Sequence, residues 1–228
     1  MKPAISYRLK QQQFWLSADR VLFWEDERAL IIADLHFGKT GHFRKSGLAV
    51  PQSLYREDLQ RLVAQIQYFQ PGRLIIVGDF FHSQKNREME LFQKWRENFL
   101  DLQILLVKGN HDILEASWYL EAGIQVVDET LKMGHFEFVH DIAACPPLGA
   151  ADNQEGQAEL PYFFSGHIHP GIRVNGQGRQ SLCFPCFYFG AHYAVLPAFS
   201  RFTGLASISP GRKEHVFAIV EDQILQIQ

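Results

Sequence analysis

The stretch LIIVGDFF, Leu74 to Phe81, is a continuous apolar run closed by Gly78-Asp79. A short run of this kind, bounded by turn residues, suits a strand covered on both faces. The same unit stands earlier as Ala29-Leu30-Ile31-Ile32-Ala33 followed by Asp34-Leu35-His36, and later as Ile104-Leu105-Leu106-Val107 followed by Gly109-Asn110-His111-Asp112. Helical spacing fills the intervals. Pro51 can open a helix whose apolar positions Leu59, Leu62, Val63, Ile66 and Phe69 recur until Pro71-Gly72. Met89, Phe92, Trp95 and Phe99 mark a second helix, and a third helical stretch covers Leu114 to Ala122.

Around this frame the pattern is that of strands. Val21 to Trp24 precedes the first unit. From Val126 onward the chain alternates, with Phe136, Phe138 and His140 on one face of a hairpin that turns at Gly134. Further strands are expected at Phe163-Phe164, Ile172 to Val174, Leu182 to Phe189 and Tyr193 to Leu196, with a closing hairpin of Val216 to Val220 and Ile224 to Ile227. Gly149 to Gln157 is polar and reads as a surface loop. An αβ first half and a β-rich second half predict an α/β (α+β) chain, two sheets packed together with helices outside, forming one domain over residues 1–228.

Bulk properties narrow the function. With 228 residues, 46% hydrophobic and 21% charged, the composition is that of an ordinary globular protein. A formal net charge of -3 supplies no global attraction for polyanions, so any affinity for nucleic acid must be local. The N-terminal stretch MKPAISYRLKQQQFW has no apolar core of signal-peptide length, and no other run is long enough to span a bilayer, so a cytoplasmic protein without membrane association is expected. Cys145, Cys183 and Cys186 cannot all pair internally. Cys183 and Cys186 have the spacing of a redox or zinc pair, but no second pair completes a zinc site, so plain thiols are expected.

Ligand-type residues gather where the apolar runs stop, the place at which open α/β sheets build sites. Asp34 and His36 end the first run, Asp79 the second, Asn110 the third; His140 ends a later strand, and SGHIHPG, Ser165 to Gly171, carries His167 and His169. In an extended chain those two histidines would face one common space. Carboxylate, amide and imidazole donors without thiolate suit manganese, iron, zinc or nickel. Seven such residues exceed a tetrahedral site that keeps an open position, but suffice for two metals sharing a carboxylate.

The order D-x-H, G-D, G-N-H-D, a lone His and G-H-x-H resembles the calcineurin-like metallophosphoesterase superfamily. The resemblance implies a four-layer αββα sandwich of two mixed β-sheets flanked by helices, with a dinuclear centre. It further implies that Asp34, His36 and His169 hold one ion, that Asn110, His140 and His167 hold the other, and that Asp79 bridges them. The segments ADLHFGKTGHFRKSG, VGDFFHS, SGHIHPGIR and LPAFSRFTG are similar to the DNA-ligase-associated metallophosphoesterase subfamily. That similarity implies a phosphodiesterase or nuclease of bacterial DNA repair, with two divalent ions, manganese foremost, DNA or another phosphodiester as substrate, and a DNA ligase and helicase of the same system as partners.

Beside the family ligands, His111 is the candidate to protonate or polarise the leaving group, with Asp112 orienting it. Basic residues follow the motifs: Lys39, Arg44 and Lys45, then Lys85 and Arg87, then Arg173 and Arg179. Lys39, Arg44 and Arg173 are candidate phosphate clamps, and His82 either supports a ligand or faces substrate. The aromatic segment CFPCFYFGAHYAVLPAFSRF reads as core strands, part of which could meet a second subunit in a homodimer. Two other functions fit the pattern. One is hydrolysis of a small phosphoester or nucleotide; the other is a binding scaffold without turnover, which the complete ligand set opposes.

Overall fold

The structure, a computed structural model, describes residues 4–38, 53–81, 87–145, 160–176 and 180–228. Its first sheet has seven strands in sequence order: β1 (Ile5–Leu9), β2 (Gln12–Ser17), β3 (Val21–Trp24), β4 (Ala29–Ala33), β5 (Arg73–Val77), β6 (Gln103–Val107) and β7 (Ile124–Val127). The first four form an antiparallel meander, and β4 to β7 run parallel. Between the parallel strands lie α1 (Ser53–Phe69), α2 (Arg87–Arg96) and α3 (Ala116–Glu121).

The continuous apolar runs are explained by two-sided burial. Leu30, Ile32, Leu74, Ile76, Ile104 and Leu106 face the helices, meeting Leu62, Ile66, Phe92, Trp95 and Trp118. Their neighbours Ile31, Ala33, Ile75, Val77, Leu105 and Val107 point the other way. There they meet a second, nine-stranded sheet.

That sheet comprises β8 (Thr130–Met133), β9 (Phe136–Val139), β10 (Tyr162–Ser165), β11 (Pro170–Asn175), β12 (Ser181–Phe189), β13 (Tyr193–Val195), β14 (Ala206–Ser207), β15 (His215–Val220) and β16 (Gln223–Gln226). It is mixed: β9, β10 and β13 are parallel, whereas β8, β11, β12, β15 and β16 join through antiparallel pairs. Phe136, Phe138, Phe164, Phe187 and Phe217 enter the space between the sheets, where the Phe138 and Phe164 rings stack at 5.4 Å and Phe14 lies edge-on to Phe136 at 5.4 Å.

The expected sandwich of two mixed sheets is present. Its helices, among the described residues, all pack on the first sheet. The outer face of the second carries a small cluster of Ile172, Cys186, Tyr188, Val195, Val216 and Ala218. Other differences are local. The second helix stops at Arg96, so Phe99 lies in the following turn, and the third starts at Ala116 instead of Leu114. The hairpin β1–β2 had no turn signature, because Lys10 and Gln11 adopt φ of 48° and 65° where Gly or Asn is usual. Cys183 and Cys186 lie three positions apart on β12, one exposed and one buried, about 10 Å apart at strand rise. All three cysteines are free thiols, as expected.

No helix among the described residues is long and apolar enough to cross a membrane. Because Phe164 is fully buried between the sheets, Phe164→Ala is expected to lower unfolding free energy by about 3–5 kcal/mol in urea titrations. Leu225→Ala, on a side chain 44% exposed, should change it by less than about 0.5 kcal/mol.

Candidate metal centre

Three loops leaving β4, β5 and β6 share one edge of the first sheet, and they stay bonded to one another after the strands end. Asp34 donates its amide to the Gly78 carbonyl, His36 to Asp79 and Phe37 to Phe80, at 3.2, 2.9 and 2.9 Å. The second sheet adds His140 after β9, and His167 and His169 between β10 and β11.

These residues form two groups, Asp34 with His36 and His169, and Asp79 with His140 and His167, each able to bring its ligand atoms within 4.8 Å of one another. In the first, His36 Nε2 lies 3.3 Å from His169 Nε2, which is 3.6 Å from Asp34 Oδ1. In the second, His140 Nε2 lies 3.0 Å from Asn110 Oδ1, 3.1 Å from His167 Nδ1 and 3.4 Å from Asp79 Oδ1. Asp79 serves both sides: its other oxygen, Oδ2, is 4.0 Å from His36 Nδ1. His140 Nδ1 faces the Val77 carbonyl at 3.4 Å, so that nitrogen carries the proton and Nε2 turns a lone pair inward.

Lone pairs of imidazole, carboxylate and amide oxygen crowded at such distances repel unless a cation or proton sits among them. The donor set therefore fits divalent metal, of the manganese, iron, zinc or nickel type.

The backbone is adapted to this convergence. Asp34, His36, Asp79, His167 and His169 have φ of 53°, 50°, 49°, 66° and 53°, a left-handed region that non-glycine residues seldom occupy and that clusters at functional sites. The His-x-His pair is accordingly not an extended chain with both rings in one space. Its two turns send His167 toward His140 and His169 toward His36. Glycine is required where the ligands press on the backbone: a Cβ on Gly78 would overlap the His140 ring, and one on Gly166 would lie 2.7 Å from Asp34 Oδ2.

Asp112 differs from expectation. Its fully buried carboxylate accepts hydrogen bonds from the amides of Phe80 and Phe81 at Oδ1 and of Gly109 at Oδ2, at 2.9, 3.0 and 2.9 Å. It thereby ties the Asp79 loop to the Asn110 loop, and makes no bond to His111. Burial pushes its carboxyl up to about 7 against the pull of these amides. His111 stands at the mouth, its side chain 40% exposed, with Nε2 4.0 Å from Asp79 Oδ2 and its ring 5.8 Å from that of His36.

Lys39, Arg44, Lys45, His82, Lys85 and Arg179 lie outside the described residues, as does the side chain of Arg87. Arg173 is exposed on β11 and bonds Ser181, bringing it to no ligand. Asp141 was not singled out from sequence, although it directly follows His140; its Oδ2 lies 3.9 Å from His167 Nε2, where a carboxylate orients a ligating ring. It also lines a cleft of about 680 Å³ whose wall includes Asp128, Glu129, Glu137 and Lys108, with Lys108 3.8 Å from Asp128 and Lys132 3.0 Å from Glu137.

The chain is similar to known proteins. A Pseudomonas putida nuclease, MPE, superposes with a TM-score of 0.80 at 27% identity, covering 99% of this chain and 100% of that one. An Escherichia coli phosphoesterase, YfcE, gives a TM-score of 0.43 at 13% identity over 87% of this chain and 97% of that one. No curated protein matches the sequence. The model of the calcineurin-like phosphoesterase family matches residues 27–181, which hold every candidate ligand, and the chain belongs to that family.

Proposed function

We propose that the protein is a phosphodiesterase of the nuclease type, acting on DNA or related diesters with two divalent ions, manganese foremost. The observation that carries the reading is the pair of ligand groups meeting at Asp79, one carboxylate oxygen toward each. The likeness over the whole chain to a nuclease from Pseudomonas putida supports the diester class. The subfamily segments support a cytoplasmic role in DNA repair beside a ligase and helicase.

Asp34, His36 and His169 would hold one ion, Asn110, His140 and His167 the other, and Asp79 both. When bound, such a pair supplies the acidity that activates water near neutral pH and the positive charge that neutralises phosphoryl oxygens. The chain's own groups complete the reaction. His111 is the half-exposed imidazole at the mouth, placed to donate a proton to the departing oxygen, with its Nε2 4.0 Å from Asp79 Oδ2. His140 is kept in its ligating tautomer by the Val77 carbonyl.

Metal-reconstituted protein assayed on an aryl diester, an aryl monoester and single- and double-stranded DNA tests the reading. Diesters should be hydrolysed in preference to the monoester, chelation should abolish turnover, and faster monoester hydrolysis would refute the diester assignment. His111→Ala is expected to reduce kcat by about 10²–10⁴ with two ions per chain retained by elemental analysis. Gly78→Ala should displace His140 and lower metal content toward one ion. Asp112→Asn replaces an acceptor by a donor facing an amide, and should destabilise the fold by about 1–3 kcal/mol in denaturant titrations.

A further inference from the structure

A buried charge cluster away from the ligands converges on one short segment, Ala198 to Ser200. Arg20, in the turn between β2 and β3, donates from Nη1 to the carbonyls of Ala198 at 3.0 Å and Ser200 at 2.8 Å. Arg61, on α1, donates to the intervening carbonyl of Phe199, and its Cζ lies 4.0 Å over the Phe199 ring. Asp58, one helical turn earlier, accepts from Arg61 at 2.7 Å. Ala198, Phe199, Ser200, Asp58 and Arg61 are all buried.

The opposite edge of the segment faces β4. Phe199 donates its amide to the Ala33 carbonyl at 2.7 Å, Ser200 donates to the Asp34 carbonyl at 3.2 Å, and Ala33 and Ala198 form an isolated parallel bridge. Three successive carbonyls are thus satisfied by two guanidiniums on one side, and two amides grip the turn of Asp34 on the other. Buried carbonyls need such partners, and the two N–H groups of one Arg20 nitrogen, Nη1, reach two of them. The left-handed backbone at Asp34, φ 53°, persists only when its surroundings hold it.

We infer that Arg20 and Arg61 are positioning residues for Asp34, fixing its carboxylate for metal through the Ala198–Ser200 segment. This rests on the reading of Asp34 as a ligand. The experiment is Mn²⁺ titration of the full chain stripped of metal, with thermal unfolding and amide hydrogen exchange measured on the same samples. Asp34→Asn identifies the binding step that belongs to Asp34. Arg20→Gln should weaken that same step about tenfold or more, speed exchange at the Phe199 and Ser200 amides, lower the metal-free Tm modestly as buried carbonyls lose a partner, and leave the other step close to that of the unaltered protein. Arg20→Lys, keeping the charge on a shorter side chain without the planar guanidinium, should fall between Arg20→Gln and the unaltered protein.

If Asp34→Asn removes its step and Arg20→Gln does not change it, positioning is refuted and the ligand reading stands. If Asp34→Asn removes neither step, the ligand reading falls and the inference with it. Equal weakening of both steps together with a lower Tm would make Arg20 a general stabiliser and overturn the inference. The unaltered protein gives a measurement free of folding defects: coupling is reciprocal, so Mn²⁺ should slow exchange at Phe199 and Ser200. No slowing there would overturn the proposal.

Discussion

Every candidate ligand from the first sheet stands just beyond a buried parallel strand, and Asp34, His36 and Asp79 are aimed by a left-handed backbone. This constraint governs the rest. A residue held in a sparsely populated backbone region costs on the order of 1–3 kcal/mol, and five of the seven ligands have positive φ. The loops offset this by bonding to each other: Asp34 and His36 to the Asp79 loop through amides, and the Asp79 loop to the Asn110 loop through Asp112. The second sheet joins the same lattice, since the His167 amide donates to the Asp34 carboxylate at 3.0 and 3.2 Å. Much of the centre's geometry is therefore built from backbone hydrogen bonds of the protein itself.

The apolar core sets where those loops begin. Val77 contacts the aromatic space between the sheets, and its carbonyl takes the His140 Nδ1 proton. One residue on, Gly78 leaves only enough room for the His140 ring. Packing and ligation are consequently not separable here: the ring that would bind an ion also closes the end of the sandwich.

Much of this was legible in the sequence because burial on two faces leaves a visible mark. Leu74 to Val77 and Ile104 to Val107 are apolar without interruption, and residues that could not belong to a core, such as Asp79 and Asn110, follow at once. The β1–β2 hairpin left no such mark, because Gln12 and Gln13 break the apolar pattern and Lys10-Gln11 carries no turn residue. The direction of the His167 and His169 rings was also hidden, since a backbone sign reversal is not encoded in residue type. Asp112 was noticed for its neighbour His111, yet its partners are amides from another loop, and amides are anonymous in a sequence. The same is true of Arg20 and Arg61, whose targets are carbonyl oxygens more than a hundred positions away.

That last distance has a consequence for how the protein comes into being. The Ala33 carbonyl waits for the Phe199 amide, and His169 must cross the chain to meet His36. During synthesis the β4 turn therefore emerges long before its partners, and it stays unfinished until residue 199 has left the ribosome. Such distant pairing is slow to form. The full complement of candidate donors is then held in place only after residue 199 has been made.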